Sequence, residues 1–556
     1  MVPAAETRVT FPERLTAAAL LSVALLMRIP YVFHYRFNSD EPQHLHVVWG
    51  WTRGFVQYRD LFDNHSPLFH LLMAPLLALM GEHAKTLFAM RLAMFPLWLT
   101  ALVLTFTIAR RLYSERVALW ATVLLAVHFE FYFVSLEFRT DNLWAVAWLA
   151  ALAVAVSGSL TTGRAFATGT ILGVALGVSQ KTLLLVACLA GATALTLVLA
   201  PRAPRQLAWR RAAALAGVVA TGFLLVPVLL VVFFAAVGAL GAFWYGAVQH
   251  NALPGMGELQ NAWRRLLFPL GMVLVLLLAG PKIRSAAGNR LRSLRVVLLL
   301  TAASYFLWVQ SFWPFITAQD WLPFDPLLVI FVVAGLEAWA ARQGAVSLPA
   351  AVLGALLVVG LGVLAFKGPF WRDRAAPQVA LVNETLRLTD PGDWVIDAKG
   401  ETVFRQRAFP WVLESVTRER LRRGLIRDTL PEDAVATRAC VATVDDARFT
   451  DRSRVFLDEN YVPVGQLRVA GTLLGSPAAN PHLLSFNVTI PASYAVVAES
   501  GTASGLLDGA PYTGPRQLSV GRHEFVPDGA AGRLAVVWAK AVGRGFSPFR
   551  ISEGLR

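Results

Sequence analysis

Acidic residues stand at two places where the sequence leaves a long apolar run. Asp40 and Glu41 are adjacent and follow the first such run, whereas Glu137 and Asp141, four residues apart, follow a later one. Carboxylates in so apolar a chain are candidates for general-base chemistry, because ionisable side chains in or beside a bilayer are rare and often functional. A solvated acidic loop is the alternative for the first pair, and Asp141 alone is also a favoured helix N-cap.

A single lysine, Lys181, interrupts continuous apolar sequence between two predicted helices. A lysine at such a position can bind an anionic group as a hydrogen-bonding cation. It can equally extend its ammonium group to the lipid headgroups while its stem stays in the hydrocarbon. The sequence leaves both alternatives open.

The composition identifies the class of protein that carries these residues. Of the 556 residues, 56% are hydrophobic and 15% are charged, whereas soluble domains contain roughly 25% charged residues. The chain is therefore predicted to be an integral membrane protein. Its net charge of +14 does not indicate a nucleic-acid partner, because the excess lies in short loops between apolar runs, where basic residues set membrane topology.

The apolar runs predict eleven membrane spans, with a soluble region after about residue 366. Pro67–Gly81 is ambiguous, because it has about 15 residues and a span needs about 20. If it crossed, the arginine-rich loops after it would face outward, so the positive-inside rule favours a segment that lies along the membrane or dips into it. The predicted spans lie near residues 15–35, 86–109, 116–134, 142–158, 165–180, 182–200, 212–238, 266–280, 296–312, 321–341 and 347–366.

Loop charges orient these spans. With eleven spans, the inner segments hold 16 basic and 3 acidic residues, and the outer segments hold 8 basic and 9 acidic residues. Basic residues concentrate on the cytoplasmic side, so the acidic segments and the C-terminal region are expected on the outer side. The outer polar residues are then Asp40, Glu41, Asp60, Asp63, Glu137, Asp141, Lys181 and Asp320.

Three domains are expected from the change in composition. Residues 1–366 form the transmembrane domain, which includes a first outer loop at about 36–85; residues 367–480 form a mixed α/β domain and 481–556 a β-rich, sandwich-like domain. Strands are expected near 394–397, 441–444, 483–490, 494–498, 516–520 and 533–539, with a helix over 410–425 and a hairpin turn at Asp508-Gly509. Cys188 and Cys440 are not expected to pair. No phosphate-binding loop or metal-ligand cluster is apparent, and the region is expected to support or gate the membrane part.

The motifs of the first 340 residues resemble those of one enzyme class. An Asp-Glu pair in the first outer loop is followed by an aromatic-rich stretch ending in Asp63-Asn64-His65-Ser66-Pro67-Leu68, and then by Asp141 after the third span. This order resembles the GT-C fold glycosyltransferases that use polyprenyl-phosphate sugars, in particular the protein O-mannosyltransferases and the bacterial lipid A aminoarabinose transferases. His65-Ser66-Pro67-Leu68 stands where that family usually has Lys-Pro-Pro-Leu, so the donor site is expected to differ.

The resemblance implies a reaction and a set of roles. A hexosyl or pentosyl group would pass from a polyprenyl-phosphate donor to a hydroxyl of a lipid, glycan or protein, with inversion, on the outer face of a bacterial cytoplasmic membrane. Asp40 would be the general base, supported by Glu41 and Asp141, and His65, Lys181 and Arg139 would hold the donor phosphate. No cofactor is expected: two adjacent acids can hold a divalent ion, but a metal site usually recruits more converging ligands.

A polytopic lipid or sugar transporter, or flippase, is the alternative function. A transporter typically carries paired charges near the bilayer midplane, often beside broken helices. The intramembrane charges here are few and stand near span ends, and the glycine-rich region at 165–181 is the only feature that favours transport.

Overall fold

The computed structural model describes residues 9–199, 205–256, 262–285, 289–343, 350–444, 447–474, 483–528 and 532–549. The chain divides into two compact units. We call Met1–Arg36, Asn64–Pro75 and Phe88–Ala375 the helical unit, and Phe37–Asp63, Leu76–Leu87 and Ala376–Arg556 the mixed unit. We predicted that residues 36–85 belong with the membrane spans. Most of that segment instead groups with the C-terminal region, because its side chains are bonded to residues 399–405 of that region.

Helices account for most of the helical unit. They are α1 (Phe11–His34), α3 (Leu68–Met80, which ends in the mixed unit), α4 (Thr86–Leu92), α5 (Phe95–Leu112), α6 (Glu115–Val127), α7 (Phe129–Val134), α8 (Thr140–Val156), α9 (Thr162–Val178), α10 (Thr182–Leu199), α11 (Arg205–Ala236), α12 (Leu240–Trp244), α13 (Leu267–Ser285), α14 (Arg290–Phe312), α15 (Asp325–Arg342) and α16 (Ala350–Lys367), with α2 (Asp40–Thr52) belonging to the mixed unit.

A helix or a pair of helices lies at each of the eleven predicted span positions. Among the described residues, six helical segments are long and apolar enough to cross a membrane, and α3, α8, α9 and α16 are shorter apolar helices. The prediction of a polytopic helical membrane fold is confirmed, and the count of eleven crossings stays a prediction. With 13 residues, α3 is only about 20 Å long at 1.5 Å per residue, too short to cross a bilayer core of about 30 Å.

The chain leaves α1 along a path fixed by a buried arginine. The Arg91 guanidinium donates hydrogen bonds to the backbone carbonyls of Val32 (3.2 Å), Tyr35 (2.7 Å) and Arg36 (2.7 Å). These carbonyls belong to the last turn of α1 and the residues after it, which have no partners within the helix. The Arg91 guanidinium therefore supplies hydrogen-bond donors to the carbonyl groups at the end of α1, the helix that precedes the acidic pair.

Glycines bring α9 and α11 into backbone contact. A Cβ built on Gly173 would lie 2.5 Å from the carbonyl oxygen of Phe223, and one on Gly222 would clash with the carbonyl oxygen of Phe166. Small residues spaced four apart allow this approach between helices in lipid, where packing replaces the hydrophobic effect. The Gly169-Gly173-Gly177 spacing, which favoured a transporter in the sequence, therefore has a packing role.

The mixed unit contains α2 and the C-terminal helices and strands. After α2 these are α17 (Ala376–Leu388), β1 (Trp394–Ile396), β2 (Gln406–Arg407), α18 (Ser415–Arg422), α19 (Leu430–Thr437), β3 (Val441–Thr443), α20 (Asp451–Asn460), β4 (Tyr461–Val464), β5 (Leu467–Leu474), β6 (Leu484–Val488), β7 (Ala492–Ala498), β8 (Gly505–Leu507), β9 (Ala510–Pro511), β10 (Arg516–Leu518), β11 (Gly521–Pro527), β12 (Leu534–Trp538) and α21 (Ala539–Gly543).

One sheet continues across the domain boundary that we placed between residues 480 and 481. Within the described residues, eight strands form it in the order β10-β7-β12-β5-β3-β1-β2, with β4 also paired to β5. β5 lies before this boundary and β12 lies after it, so their antiparallel pairing joins the two predicted soluble domains. Each of the two strands thereby gains backbone partners along an edge that would otherwise be open. A second sheet, β6-β11-β8-β9, contains the predicted Asp508-Gly509 turn, and both turn residues have positive φ, as a two-residue hairpin requires.

The turn after β1 is organised by the buried carboxylate of Asp397. It accepts hydrogen bonds from the Gly400 amide (2.8 Å), from the Thr402 amide and hydroxyl (3.1 and 2.6 Å), and from Arg407 Nε (2.6 Å). Burial alone would raise the pKa of Asp397, but the Arg407 charge and the Thr402 hydrogen bonds lower it below its ordinary value. The carboxylate therefore stays ionised and holds the turn in one conformation.

A second carboxylate in this turn, Glu401, bonds to the backbone and to a cation. Its Oε2 accepts the Lys399 amide (2.7 Å), and its Oε1 pairs with Arg448 Nη1 (2.9 Å). Burial, together with the charge of Asp397, raises the pKa of Glu401 to about 7 from an ordinary 4.5. The side chain therefore changes its ionisation near neutral pH.

Helix α2 is bonded directly to this turn. His46 Nδ1 donates to the carbonyl of Val403 (2.7 Å), and burial lowers the pKa of His46 to about 4, so the ring is neutral. Gly400 has φ +90, and a Cβ there would lie 3.1 Å from the Cβ of His46. A glycine is required at this position because it combines a left-handed backbone with close packing on α2.

We expect Gly173→Leu to weaken the packing of α9 on α11. The added side chain cannot enter without separating the two backbones, and overpacking typically costs about 1–3 kcal/mol. The thermal unfolding midpoint and the monodisperse fraction of detergent-solubilised protein measure the effect. Gly191→Leu on α10 is the matched control, because its Cβ would meet nothing within 4 Å; equal losses in both variants would contradict the packing role.

We expect the stability of the mixed unit to decrease between about pH 4.5 and pH 7 because of Glu401. Its folded pKa of about 7 lies above the ordinary 4.5, so the folded state retains a proton that the unfolded chain has released. This contribution is complete below pH 4.5 and is lost as the pH rises through 7. Glu401→Gln should therefore flatten the dependence of the unfolding midpoint on pH over this range. A variant that follows the wild-type curve would assign the titration to another group.

Candidate active site

The two adjacent acids occupy different environments at the start of α2. Asp40 is the first residue of the helix, where the helix dipole favours a carboxylate, and its side chain is 18% exposed. Glu41 is 1% exposed, and its Oε1 accepts the amide of Asn38 (2.9 Å). Of the pair, Asp40 is the carboxylate that solvent reaches, whereas Glu41 helps to close the helix start.

A lysine from the C-terminal region pairs with Asp40. The Lys399 ammonium forms a salt bridge with Asp40 Oδ1 and lies 3.3 Å from the Ser39 hydroxyl. The side chain of Lys399 is 9% exposed, so the ion pair is partly withdrawn from water and its attraction is screened less than that of a surface pair. Sequence reasoning did not identify Lys399. The only local signal was a lysine between two acids, Asp397 and Glu401, directly after a buried strand.

The rest of the first outer segment is held by two further acids. Asp63 is fully buried and accepts hydrogen bonds from Gln43 Nε2 (2.8 Å) and Gln57 Nε2 (3.0 Å). Glu82 pairs with Arg405 Nη1 at 3.3 Å and accepts the indole N–H of Trp49, both from other parts of the mixed unit. These acids have structural roles, because their oxygens bond to side chains that fix the segment around α2.

The remaining predicted residues form a cluster in the helical unit. Arg139 lies 3.3 Å from Glu137 and 3.3 Å from Asp141, while Lys181 Nζ lies 3.5 Å from Asp141 and 2.6 Å from Asp320. All except Lys181 are buried, and the side chain of Lys181 is 24% exposed. The cluster alternates acids with cations, so each cation is held by at least two carboxylates.

The sequence left two questions open: whether Asp141 only caps a helix, and whether Lys181 extends its ammonium group to the lipid headgroups. Arg139 occupies the N-cap position of α8, and Asp141 lies in the first helical turn, where it pairs with Arg139 and Lys181 instead of capping the helix. The Lys181 ammonium is directed to Asp320, whose Oδ2 is fixed by the Thr317 amide (2.9 Å) and hydroxyl (2.8 Å). Lys181 is therefore ion-paired within the protein.

An apolar cavity of about 530 Å³ lies in the helical unit, and Gln180, the residue before Lys181, is part of its lining. Its volume is within the range of about 300–1,000 Å³ typical of ligand pockets. His65 is partly buried and directly precedes two of its wall residues. The segment carrying His65 is tied down by Asn251 Nδ2, which donates to the Asn64 carbonyl (2.8 Å). Residues lining the cavity include Ser66, Pro67, Gly177, Gln180, Phe243 and Trp244.

The predicted site residues thus fall into two groups. Asp40 and Glu41 belong to the mixed unit, and His65, Arg139, Asp141 and Lys181 belong to the helical unit. Among the described residues, no set of three His, Cys, Asp or Glu side chains is arranged to hold a metal ion. The chemistry available is that of a partly exposed carboxylate in one unit, and of a buried arginine and a partly exposed lysine in the other.

Known proteins resemble the chain in part of its sequence and in most of its fold. Residues 64–231 match the family described as dolichyl-phosphate-mannose-protein mannosyltransferase. This segment contains His65, Arg139, Asp141 and Lys181, and it begins after the acidic pair at Asp40. No curated protein matches the chain in sequence.

Two crystal structures of ArnT from Cupriavidus metallidurans have a similar fold. The apo structure and the structure bound to undecaprenyl phosphate each have a TM-score of 0.55 and 14% sequence identity, and each similarity covers 82% of this chain and 97% of that chain. At this identity the similarity establishes the fold. Together with the family match, it does not favour the alternative of a transporter or flippase.

The chain has the GT-C fold, and the resemblance predicted from its sequence to the glycosyltransferases that use polyprenyl-phosphate sugars is confirmed.

Proposed function

We propose that the protein transfers a hexosyl or pentosyl group from a polyprenyl phosphate to an acceptor hydroxyl, on the outer face of a bacterial cytoplasmic membrane and with inversion at the anomeric carbon. The observation that carries this proposal is the family match over residues 64–231, which includes the two cations of the cluster, Arg139 and Lys181. The outer orientation is supported by the 16 basic residues of the predicted inner loops against 8 in the outer ones.

Asp40 is the general base in this proposal. Its carboxylate accepts the proton of the acceptor hydroxyl as the hydroxyl oxygen bonds to the anomeric carbon. The bond from that carbon to the phosphate oxygen breaks at the same time, and the polyprenyl phosphate leaves with the electron pair. The phosphate is already a good leaving group, so no general acid is needed, and attack opposite to it inverts the configuration. The partial exposure of Asp40 and its position at a helix start support this role.

Lys181 and Arg139, with His65, hold the donor phosphate in this proposal. A lysine ammonium has three N–H donors, and the Asp141 oxygen lies 3.5 Å from it, against 2.6 Å for Asp320. A phosphate oxygen can therefore replace the longer of these contacts while Asp320 keeps the ammonium in place. Cations at this point also stabilise the charge that develops on the phosphate as it leaves. Asp141 supports the cations that carry out this step.

The apolar cavity suits the polyprenyl chain of the donor. Its walls come from α9, α10, α11 and α12, together with the segment after His65, so it begins within one or two residues of both Lys181 and His65 in sequence. Isoprenoid chains bind by apolar burial, worth about 0.8 kcal/mol per CH₂ group removed from water. A polyprenyl phosphate matches both features, because the cations would bind its phosphate and the cavity would bind its isoprenoid chain.

We expect Asp40→Asn to reduce sugar transfer by about 10²–10⁴-fold, the usual contribution of a general base. Asparagine keeps the shape and hydrogen bonding of the side chain but cannot take up the proton. Cells lacking the gene are complemented with the wild type or the variant, and mass spectrometry of their lipids, glycans and proteins identifies the sugar and the acceptor. Transfer by the purified proteins is then measured with that donor.

Related variants separate basicity from folding. Glu41→Gln should reduce transfer least and Asp141→Asn to an intermediate extent, because both have supporting roles. Asp60→Asn is the matched control: Asp60 is an acid of the same outer segment that pairs with Arg59 at 2.9 Å, and its variant should transfer normally. An Asp40→Asn enzyme that keeps more than about a tenth of the wild-type rate has lost less than a general base contributes, and Asp40 would then not be the base.

We expect Lys181→Ala to weaken binding of undecaprenyl phosphate, used as the probe, by about 10- to 100-fold. A charged hydrogen bond contributes about 1.5–3 kcal/mol, and each 1.4 kcal/mol is a factor of ten in affinity. Native mass spectrometry measures the binding, and the yield of monodisperse protein measures folding. Lys367→Ala is the control, a lysine at the end of α16 and outside the cluster. Unchanged binding by Lys181→Ala would limit Lys181 to its ion pair with Asp320.

A further inference from the structure

We propose that Lys399 is a positioning residue for the proposed base: its ammonium holds the Asp40 carboxylate in the orientation in which it takes the proton of the acceptor hydroxyl. This inference rests on the proposed role of Asp40. The two residues are 359 positions apart in sequence, yet both belong to the mixed unit. The C-terminal region would then supply part of the catalytic arrangement as well as mechanical support.

The position of Lys399 is determined by its neighbours and not by the ion pair alone. Its backbone amide is bonded to Glu401 Oε2 at 2.7 Å, and the turn that contains it closes around Asp397 through the Gly400 and Thr402 amides. A carboxylate and a lysine on flexible segments lose much of their attraction to the entropy of ordering them. Here that ordering is already supplied by the turn.

The same turn is attached to the helix that carries Asp40. His46 lies six residues after Asp40 on α2 and bonds to the Val403 carbonyl at 2.7 Å, while its Cβ packs on Gly400. The lysine and the carboxylate are therefore presented by two elements that are bonded to each other at a second point. Such a double attachment fixes the distance between two side chains, as catalytic geometry requires.

The salt bridge involves Oδ1 of Asp40, and the ammonium also lies near the Ser39 hydroxyl. An ion pair at one oxygen restricts rotation of the carboxylate about its own axis. It also favours the ionised form, so the base is available at lower pH than an isolated carboxylate would be. Both effects act on the substrate only through Asp40, which is why Lys399 is assigned a positioning role.

Other charged and titratable groups surround this pair and stay the same in the variants below. On α2 they are Glu41 and His46, and on the turn they are Asp397 and Glu401. Behind the turn, Arg407 pairs with Asp397 and Arg448 with Glu401. With a pKa of about 7, Glu401 titrates within the pH range of the assay. All the variants compared below therefore retain Glu401, so that its titration is common to them.

The test compares Lys399→Met, Lys399→Arg and wild type in full-length protein. The donor is the pool of undecaprenyl-phosphate-linked sugars extracted from the cells that make the protein, and release of undecaprenyl phosphate is followed from pH 4 to 9. We expect Lys399→Met to lower kcat by about 10²-fold, as small misplacements do, with little change in KM for the donor. The acidic side of its pH–rate profile should move to higher pH, because the cation next to the carboxylate is lost.

Lys399→Arg should restore most of kcat and the wild-type pH–rate profile on its acidic side, since arginine restores the positive charge beside Asp40. Lys540→Met is the matched control: Lys540 pairs with Asp390 (2.9 Å) and Asp393 (2.8 Å) in the same unit but does not touch the turn, and its variant should behave as wild type. The double variant Asp40→Asn/Lys399→Met should be no slower than Asp40→Asn alone, because a positioning residue has no effect without the group it positions.

Several results would overturn the inference. If Lys399→Met keeps the wild-type kcat and pH profile while Asp40→Asn is inactive, the proposed function stands and the role of Lys399 is wrong. If the losses multiply in the double variant, Lys399 acts on the substrate directly. If Asp40→Asn is active, both the base and its positioning residue are wrong. Should Lys399→Met yield no folded protein, the comparison of Lys399→Arg and Lys399→Gln, which keeps polarity without charge, decides the question by the same criteria.

Discussion

Ion pairing between carboxylates and cations is the interaction on which both groups of candidate residues depend. A charge withdrawn from water beside an apolar phase is stable only when it is paired and hydrogen-bonded. Lys399 with Asp40, Lys181 with Asp320, and Arg139 with Glu137 and Asp141 all satisfy this requirement. In the proposed mechanism these pairs place charges of both signs before any substrate arrives, so the electrostatic reorganisation required during reaction would be small.

Sequence patterns located these charges but not their partners. Asp40, Asp141 and Lys181 were recognisable because a charge is conspicuous in apolar sequence. The partner of Asp40 was not recognisable, because pairing over 359 residues is decided by tertiary structure and leaves no local periodicity. Helices do lie at the predicted span positions, for the opposite reason: an apolar run of about 20 residues is a local signal with one common outcome.

The C-terminal region shows the same distinction between local and long-range information. The Asp508-Gly509 turn was predicted because two residues with positive φ are specified by residue type alone. The expected helix over 410–425 is confined to Ser415–Arg422, and the helices Leu430–Thr437 and Asp451–Asn460 were not predicted, since short helices depend on packing more than on propensity. The sheet that joins residues on both sides of position 480 was hidden because strand pairing is non-local.

The C-terminal region belongs to the same compact unit as most of the first outer segment, which indicates a role beyond support. Its residues bond to the first outer segment at three points: Val403 and Lys399 bond to His46 and Asp40 of α2, and Arg405 pairs with Glu82. A region that only anchored or shielded a membrane enzyme would need no cation directed at a carboxylate of the first outer segment. Burying an ammonium group at 9% exposure is also unfavourable unless its partner compensates. The presence of Lys399 at that point is therefore better explained by a requirement of Asp40 than by the stability of the turn, which Asp397 already secures.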